Sequence, residues 1–289
     1  MSPVAFRIWL LLGGVSLVDA FWCAAEGLSI TDWQPFLTVA AALFGLVHVA
    51  RRAGLPRLAM FAEWTLIWLI FSVSGAILTY AAATRDAPLY DAQLAALDRA
   101  LGFDWSAWVG LVRAHPLFAA ALQASYKSLL SQILMTVAWF TWLKREQRVA
   151  ELMANVTVAL VLTTAIFCLF PAFGPGIGAP GFDLSYLGDL TGLRNGTLPS
   201  LDVMVLNGVI TFPSFHAVLA VLFMWSHRGS ISFVPAAALN TVMLIGVPSE
   251  GGHYLVDAFG GLAVAAVTIV AMRAVPISAP ALATARRAA

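Results

Sequence analysis

Stretches of roughly twenty mainly apolar residues recur along this chain, and each is long enough to cross the hydrocarbon core of a bilayer as a helix. Eight of them lie at roughly 8–28, 35–50, 58–83, 117–143, 150–170, 212–227, 231–247 and 253–275. In lipid each backbone polar group has to be satisfied by the protein, which restricts spanning structures to helices and closed barrels. Strand-length segments of alternating polarity are absent, so the barrel is set aside. With 61% hydrophobic and only 11% charged residues, the chain has too few charges to cover a soluble surface, and too much apolar surface to remain disordered. The expectation is an all-α, polytopic helical membrane protein with about eight transmembrane helices. A net charge of +1 offers no bulk attraction to nucleic acid. Cys23 and Cys168 both sit in apolar runs and read as small buried hydrophobes, not as a disulfide or zinc framework.

Basic residues orient the helices. Arg7, Arg51, Arg52, Arg57, Lys144, Arg145, Arg148, Arg228, Arg273, Arg286 and Arg287 fall on one side of the eight-span scheme, and Arg85, Arg99, Arg113, Lys127 and Arg194 on the other. The positive-inside rule puts the larger group, with both termini, in the cytoplasm. The first stretch shares Arg7, an apolar run and Cys23-Ala24-Ala25 with signal peptides, but its single leading charge and its length favour a retained helix. Segments 84–116 and 171–211 then face outward. In the first, Leu89, Leu94, Leu97, Leu101 and Phe103 recur at helical spacing among Asp91, Asp98, Arg99 and Asp104, ahead of Trp105 and Trp108. That pattern predicts one or two interfacial amphipathic helices between the third and fourth spans. The second opens on the Gly- and Pro-rich run 171–181, which predicts irregular structure. The chain divides into N-terminal transmembrane helices, 1–83, and an interfacial segment plus a second helical bundle, 84–289.

Polar residues at helix ends carry the chemistry, because ionisable groups are costly in lipid. Thr211-Phe212-Pro213-Ser214-Phe215-His216 opens the sixth span, and Gly251-Gly252-His253-Tyr254-Leu255-Val256-Asp257 opens the eighth. His253 and Asp257 are four apart, on one helix face, where a carboxylate can hold an imidazole N–H. The topology brings His216 to the same rim. Two histidines and one aspartate suffice for a nucleophile, an orienting carboxylate and a proton donor. They also resemble half a zinc site, although no third strong ligand and no HExxH accompany them. Ser214 at a helix start offers backbone N–H groups to an anion, and Gly252 lets a ligand approach the backbone. A proton-coupled transporter is the rival reading, and it calls for ionisable residues near the bilayer middle, where only Asp19 and Glu63 fall.

Pro213-Ser214-Phe215-His216 resembles the second signature of the type-2 phosphatidic acid phosphatase superfamily, and Gly252-His253-Tyr254-Leu255-Val256-Asp257 resembles its third. Phe-Pro-Ser-Phe-His with Gly-Gly-His-Tyr-Leu-Val-Asp is most similar to the branch that contains inositol phosphorylceramide synthases, and the resemblance covers about 90–275. It implies attack by His253 on a lipid phosphate to form a phosphohistidine, with Asp257 fixing the ring and His216 protonating the leaving oxygen. Ser214, Phe215 and Gly252 would surround the phosphate. It further implies a phospholipid or lipid phosphate substrate, no cofactor and no metal, with two outcomes on the same residues: transfer of the phospho-headgroup to an acceptor such as a ceramide or diacylglycerol, or hydrolysis by water in a lipid or isoprenoid phosphate phosphatase. The expected setting is a bacterial inner membrane with the site facing the periplasm or a lumen. The superfamily's first signature is absent, and Val247 occupies the place of the cation six residues before His253. Arg194 and Lys127 are the outward cations available to replace those phosphate clamps. Gln132 is expected to make an interhelical hydrogen bond. Asp183, Asp189 and Asp202 are expected to be solvated or to structure the loop, and Phe173, Phe182 and Phe215 to cover the site.

Overall fold

A computed structural model describes residues 2–177 and 185–274, so Phe182, Asp183, Arg286 and Arg287 lie outside the described residues. The chain is 75% helical, and as expected it is an all-α, polytopic membrane protein. The N-terminal part contains α1 (Pro3–Ala25), a three-residue strand β1 (Ser29–Thr31), α2 (Trp33–Arg52) and α3 (Pro56–Ala83). Two short helices follow, α4 (Asp91–Ala100) and α5 (Trp105–Ala114), where amphipathic spacing predicted them. Next come α6 (Pro116–Lys127), α7 (Leu129–Trp142) and α8 (Glu146–Leu169). After α9 (Ser185–Arg194) and β2 (Ser200–Asp202), the chain closes with α10 (Phe215–His227), α11 (Phe233–Glu250) and α12 (Leu255–Arg273).

Six helices, α1, α2, α3, α8, α11 and α12, are long and apolar enough to span a membrane, whereas α7 and α10 are shorter apolar helices. The expected span 117–143 is interrupted at Ser128. There the backbone N–H donates to the Ser125 carbonyl at 3.2 Å, one residue short of the α-helical partner. The Ser128 hydroxyl donates to the same carbonyl at 2.6 Å, and the Ser125 hydroxyl donates to the Leu239 carbonyl of α11 at 2.8 Å. Such local hydroxyl-to-backbone bonds compete with the helical ladder. The expected span 212–227 begins only at Phe215, after Ser214 has capped it by accepting the Ala217 N–H at 3.4 Å. A two-stranded parallel pairing of β1 with β2, absent from the sequence reading, ties residues 29–31 to 200–202.

The core lies where α8 meets α1, α3, α7, α10 and α12. Ala150, Ala154 and Ala159 keep that helix slim, and Trp64, Phe140, Phe223 and Leu222 fill the space around it. In a bilayer such close packing, more than expulsion from water, holds helices together. By contrast α2 leans mainly on α3 and turns Leu37, Phe44 and Val49 outward, as a lipid-facing helix should. The two deep acids are both engaged. Glu63 pairs with Arg51 at 2.6 Å, joining α3 to α2, and Asp19 accepts from the Ser74 hydroxyl, joining α1 to α3. Gln132 accepts from the Asn240 amide at 2.8 Å, the interhelical bond expected of it.

Candidate active site

Three chain segments converge on one side of the bundle: the start of α10, the end of α11 and the start of α12. A cavity of about 320 Å³ opens there. It is lined by His216 and Phe215 of α10, Glu250 at the end of α11, Gly252 and His253 in the turn before α12, and Tyr126 of α6. Leu160, Val209 and Ile210 add apolar wall.

His253 is fixed from behind. Its Nδ1 lies 3.2 Å from Asp257 Oδ2, the pairing that the i, i+4 spacing predicts. The same carboxylate oxygen accepts the Tyr254 N–H at 2.9 Å, so it orients both the ring and the turn that carries it. With Nδ1 donating to Asp257, Nε2 presents a lone pair 3.4 Å from the Ser214 hydroxyl. Burial pushes the His253 imidazole down to about 4, against the Thr211 backbone, which favours the proton. The ring is therefore neutral near neutral pH, as a nitrogen nucleophile needs to be. Asp257 is fully buried, and its Oδ1 has no hydrogen-bond partner among the described residues.

His216 faces the same cavity and is held differently. The Tyr126 ring stacks on it with centroids 3.9 Å apart and planes 13° apart, and the Tyr126 hydroxyl lies 3.1 Å from its Nδ1. This contact fixes one nitrogen and leaves Nε2 to the cavity. Gly251 makes room for it: a Cβ there would meet the Tyr126 hydroxyl at 2.3 Å and His253 Nε2 at 3.0 Å. Gly261 does the same for the backbone, since a Cβ would approach the Ser214 carbonyl to 2.4 Å and keep α12 away from α10. At this closeness the Ser214 N–H reaches the Asp257 carbonyl at 3.0 Å, which joins the two signature segments directly.

The interfacial helix α4 braces the site through two carboxylates seven residues apart. Asp98 accepts the Leu255 and Val256 N–H groups at 2.9 and 3.0 Å, capping the start of α12. Asp91 accepts the Phe173 and Gly174 N–H groups and the Tyr254 hydroxyl, the last at 3.2 Å. The first N–H groups of α12 are thus committed to protein carboxylates, and the helix start that faces the cavity is that of α10.

The candidate cations go elsewhere. Arg194 donates to the carbonyls of Arg85 and Ala87, at 3.2 and 2.6 Å, and to Asp86 at 3.1 Å; it clamps the chain after α3 and does not line the cavity. Lys127 ends α6, is exposed, and does not line it either. No lysine or arginine is among the described residues that line the cavity, and Val247 is buried in an apolar cluster with Ala217 and Ala258. Phe173 packs with the cluster under α9 instead of in the cavity wall. Asp189 accepts from the Tyr80 hydroxyl at 2.6 Å and Asp202 from the Met204 N–H at 2.8 Å, so both structure the loop. No group of three His, Cys, Asp or Glu among the described residues is arranged to hold a metal ion. The sequence reading missed the roles of Tyr126 and Glu250. Glu250 ends a long apolar run three residues before His253, which is a usable signal; the stacking of Tyr126 joins α6 to α10 and leaves none.

The PAP2 superfamily model matches residues 92–271, which takes in nearly all of α4 through most of α12 and, apart from Thr79, the residues that line this cavity. Neither curated proteins nor solved structures gave a match. The chain belongs to the PAP2 superfamily, with phosphatase- or phosphotransferase-type activity on lipid phosphates in a membrane.

Proposed function

We propose, from membership of the PAP2 superfamily and from the cavity, that this protein transfers a phospho-headgroup between lipids through a phosphohistidine on His253. The observation that carries the reading is the His253 ring itself. It is neutral, held at Nδ1 by Asp257, and it presents Nε2 beside Ser214 in a cavity that it shares with His216. The Nε2 lone pair attacks phosphorus and the bond from phosphorus to the donor lipid's oxygen breaks. His216, which takes up a proton as the anionic phosphate enters and directs Nδ1–H at the Tyr126 hydroxyl, gives its Nε2 proton to that oxygen. An acceptor hydroxyl then attacks the phosphohistidine, returns a proton to His216 and releases His253. Asp257 stabilises the positive charge on the His253 ring, and the start of α10 faces the phosphate with Ser214 and the Phe215 backbone. No step requires a metal.

Transfer demands that an acceptor outcompete water at about 55 M, so the pocket has to position the acceptor and keep water away. Phe215, Leu160, Val209 and Ile210 supply apolar wall for that purpose. We place the site at the outer, periplasmic or lumenal face, from the distribution of basic residues, and take a ceramide or diacylglycerol as the acceptor. The test is a labelled phospholipid donor incubated with purified protein, with and without either acceptor. Label should appear in the acceptor lipid faster than in free headgroup phosphate. Rapid release that no acceptor suppresses would replace transfer by hydrolysis on the same His/His/Asp site.

A further inference from the structure

The cavity has an unusual charge for a phosphate site. Its lining contains one formally charged side chain among the described residues, and that is the carboxylate of Glu250. Two histidines share it, and one of them, His253, is neutral near neutral pH. Lys127, at the end of α6, is exposed and outside the cavity. A phosphate monoester carries close to two negative charges near pH 7. Placed in this cavity it would meet a fixed negative charge in a partly desolvated setting, where like charges repel far more than in water. A phosphodiester carries one negative charge, and an ammonium on its headgroup would cancel it and pair with Glu250.

We propose that Glu250 recognises a cationic headgroup, and that the lipid donor is a zwitterionic phosphodiester, with an ammonium beside its phosphate. The proposal rests on the transfer reading above and adds the class of donor. Position supports it. Glu250 ends α11 three residues before His253, and between them Gly251 carries no side chain at the point where a Cβ would crowd both the Tyr126 hydroxyl and His253. The carboxylate and the attacking nitrogen therefore border one continuous space. The headgroup stays on phosphorus in the phosphohistidine, so Glu250 holds it through both half-reactions. Because Glu250 contacts the headgroup and not the bonds that change, its loss acts mainly on KM.

The experiment compares three donors with one diacylglycerol chain composition in the same detergent micelles. They are phosphatidylethanolamine, phosphatidylglycerol and phosphatidic acid, each assayed with wild-type protein, Glu250→Gln and His253→Ala. Wild-type protein should favour the ethanolamine donor over the other two by at least tenfold in kcat/KM. Glu250→Gln should reduce that preference at least tenfold through KM, while its His253-dependent turnover of the glycerol donor shows that the variant is folded. Preference of the wild type for phosphatidic acid or for phosphatidylglycerol, or a donor ratio unmoved by Glu250→Gln, overturns the proposal and leaves the transfer reading standing. Turnover that survives His253→Ala overturns the transfer reading itself, and the proposal with it.

Discussion

Helix α10 has a histidine near each end, and the two differ in everything except residue type. His227, at the C-terminal end, is buried with both ring nitrogens occupied: Nδ1 lies 2.7 Å from the Ser232 hydroxyl and Nε2 lies 3.1 Å from the Thr136 hydroxyl. Its ring rests against Phe140 at 4.9 Å between centroids. His216, at the N-terminal end, has among the described residues a hydrogen-bond partner on Nδ1 only and borders a cavity. The charges around them are also reversed. Arg148 and Arg228 gather with Glu151 near His227, whereas no lysine or arginine among the described residues lines the cavity that His216 borders. Burial of an imidazole thus carries no functional meaning by itself; an imidazole nitrogen left open to a cavity does.

That contrast can be broken most directly at His253. His253→Ala removes the nitrogen that attacks, and turnover should fall by roughly 10⁴-fold or more with loss of any acid-labile phosphoenzyme, by the magnitudes seen when a nucleophile is deleted. Asp257→Asn should cost about 10²–10⁴-fold, because the ring loses the carboxylate that sets its tautomer. His216→Ala should cost roughly 10²-fold with an alkoxide leaving group and much less with an activated phenol ester, which departs without a proton. The check is a leaving-group series on this variant; an equal loss for both substrates would remove His216 as the proton donor. At the other end, His227→Ala should leave kcat/KM within about threefold but lower stability by roughly 1–3 kcal/mol, since the Thr136 and Ser232 hydroxyls lose a buried partner. A thermal melt in detergent reads this; activity loss as large as for His216 would erase the distinction.

The pH response sharpens the comparison further, with the smallest effect near neutrality. His253 has a folded value near 4, below its ordinary 6.5, so it stays neutral and nucleophilic as pH falls from 7 until about 4. The His253-dependent acid limb of kcat/KM for the free enzyme should lie near pH 4, and a limb near 6.5 would show an ordinary, solvated ring. The sign for stability follows. An unfolded chain takes up the proton near 6.5, so the contribution of the neutral buried ring is complete above that pH and is lost as pH falls towards 4.

Much of this was visible before any coordinates. The apolar runs located the long helices, and the leucines of segment 84–116 announced α4 and α5, because run length and helical spacing are both local signals. His253 with Asp257 was legible for the same reason: a pairing within one helical turn needs no knowledge of the fold. What stayed hidden depends on residues far apart in the chain. The break at Ser128 follows from a Ser125 hydroxyl bond to Leu239, 114 residues away, while the sequence on both sides of it remains apolar. Arg194 looked available because it lies just upstream of the His216 segment; the carbonyls of Arg85 and Ala87, which claim it, are 109 and 107 residues distant. The pairing of β1 with β2 is three residues long and has no pattern to betray it.

The brace supplied by α4 also fixes an order in time. A ribosome makes Asp91 and Asp98 early, and the backbone groups that Asp98 will cap are 157 and 158 residues further along. Asp91 meets the Phe173 and Gly174 N–H groups well before α12 is made, but until α12 has emerged and packed Asp98 lacks its partners and the turn that carries His253 has no cap to set its shape. The nitrogen proposed to attack is therefore among the last parts of the protein to be set in place. A nascent chain released before residue 255 would carry His216, His253 and the interfacial helix and still lack a working nucleophile.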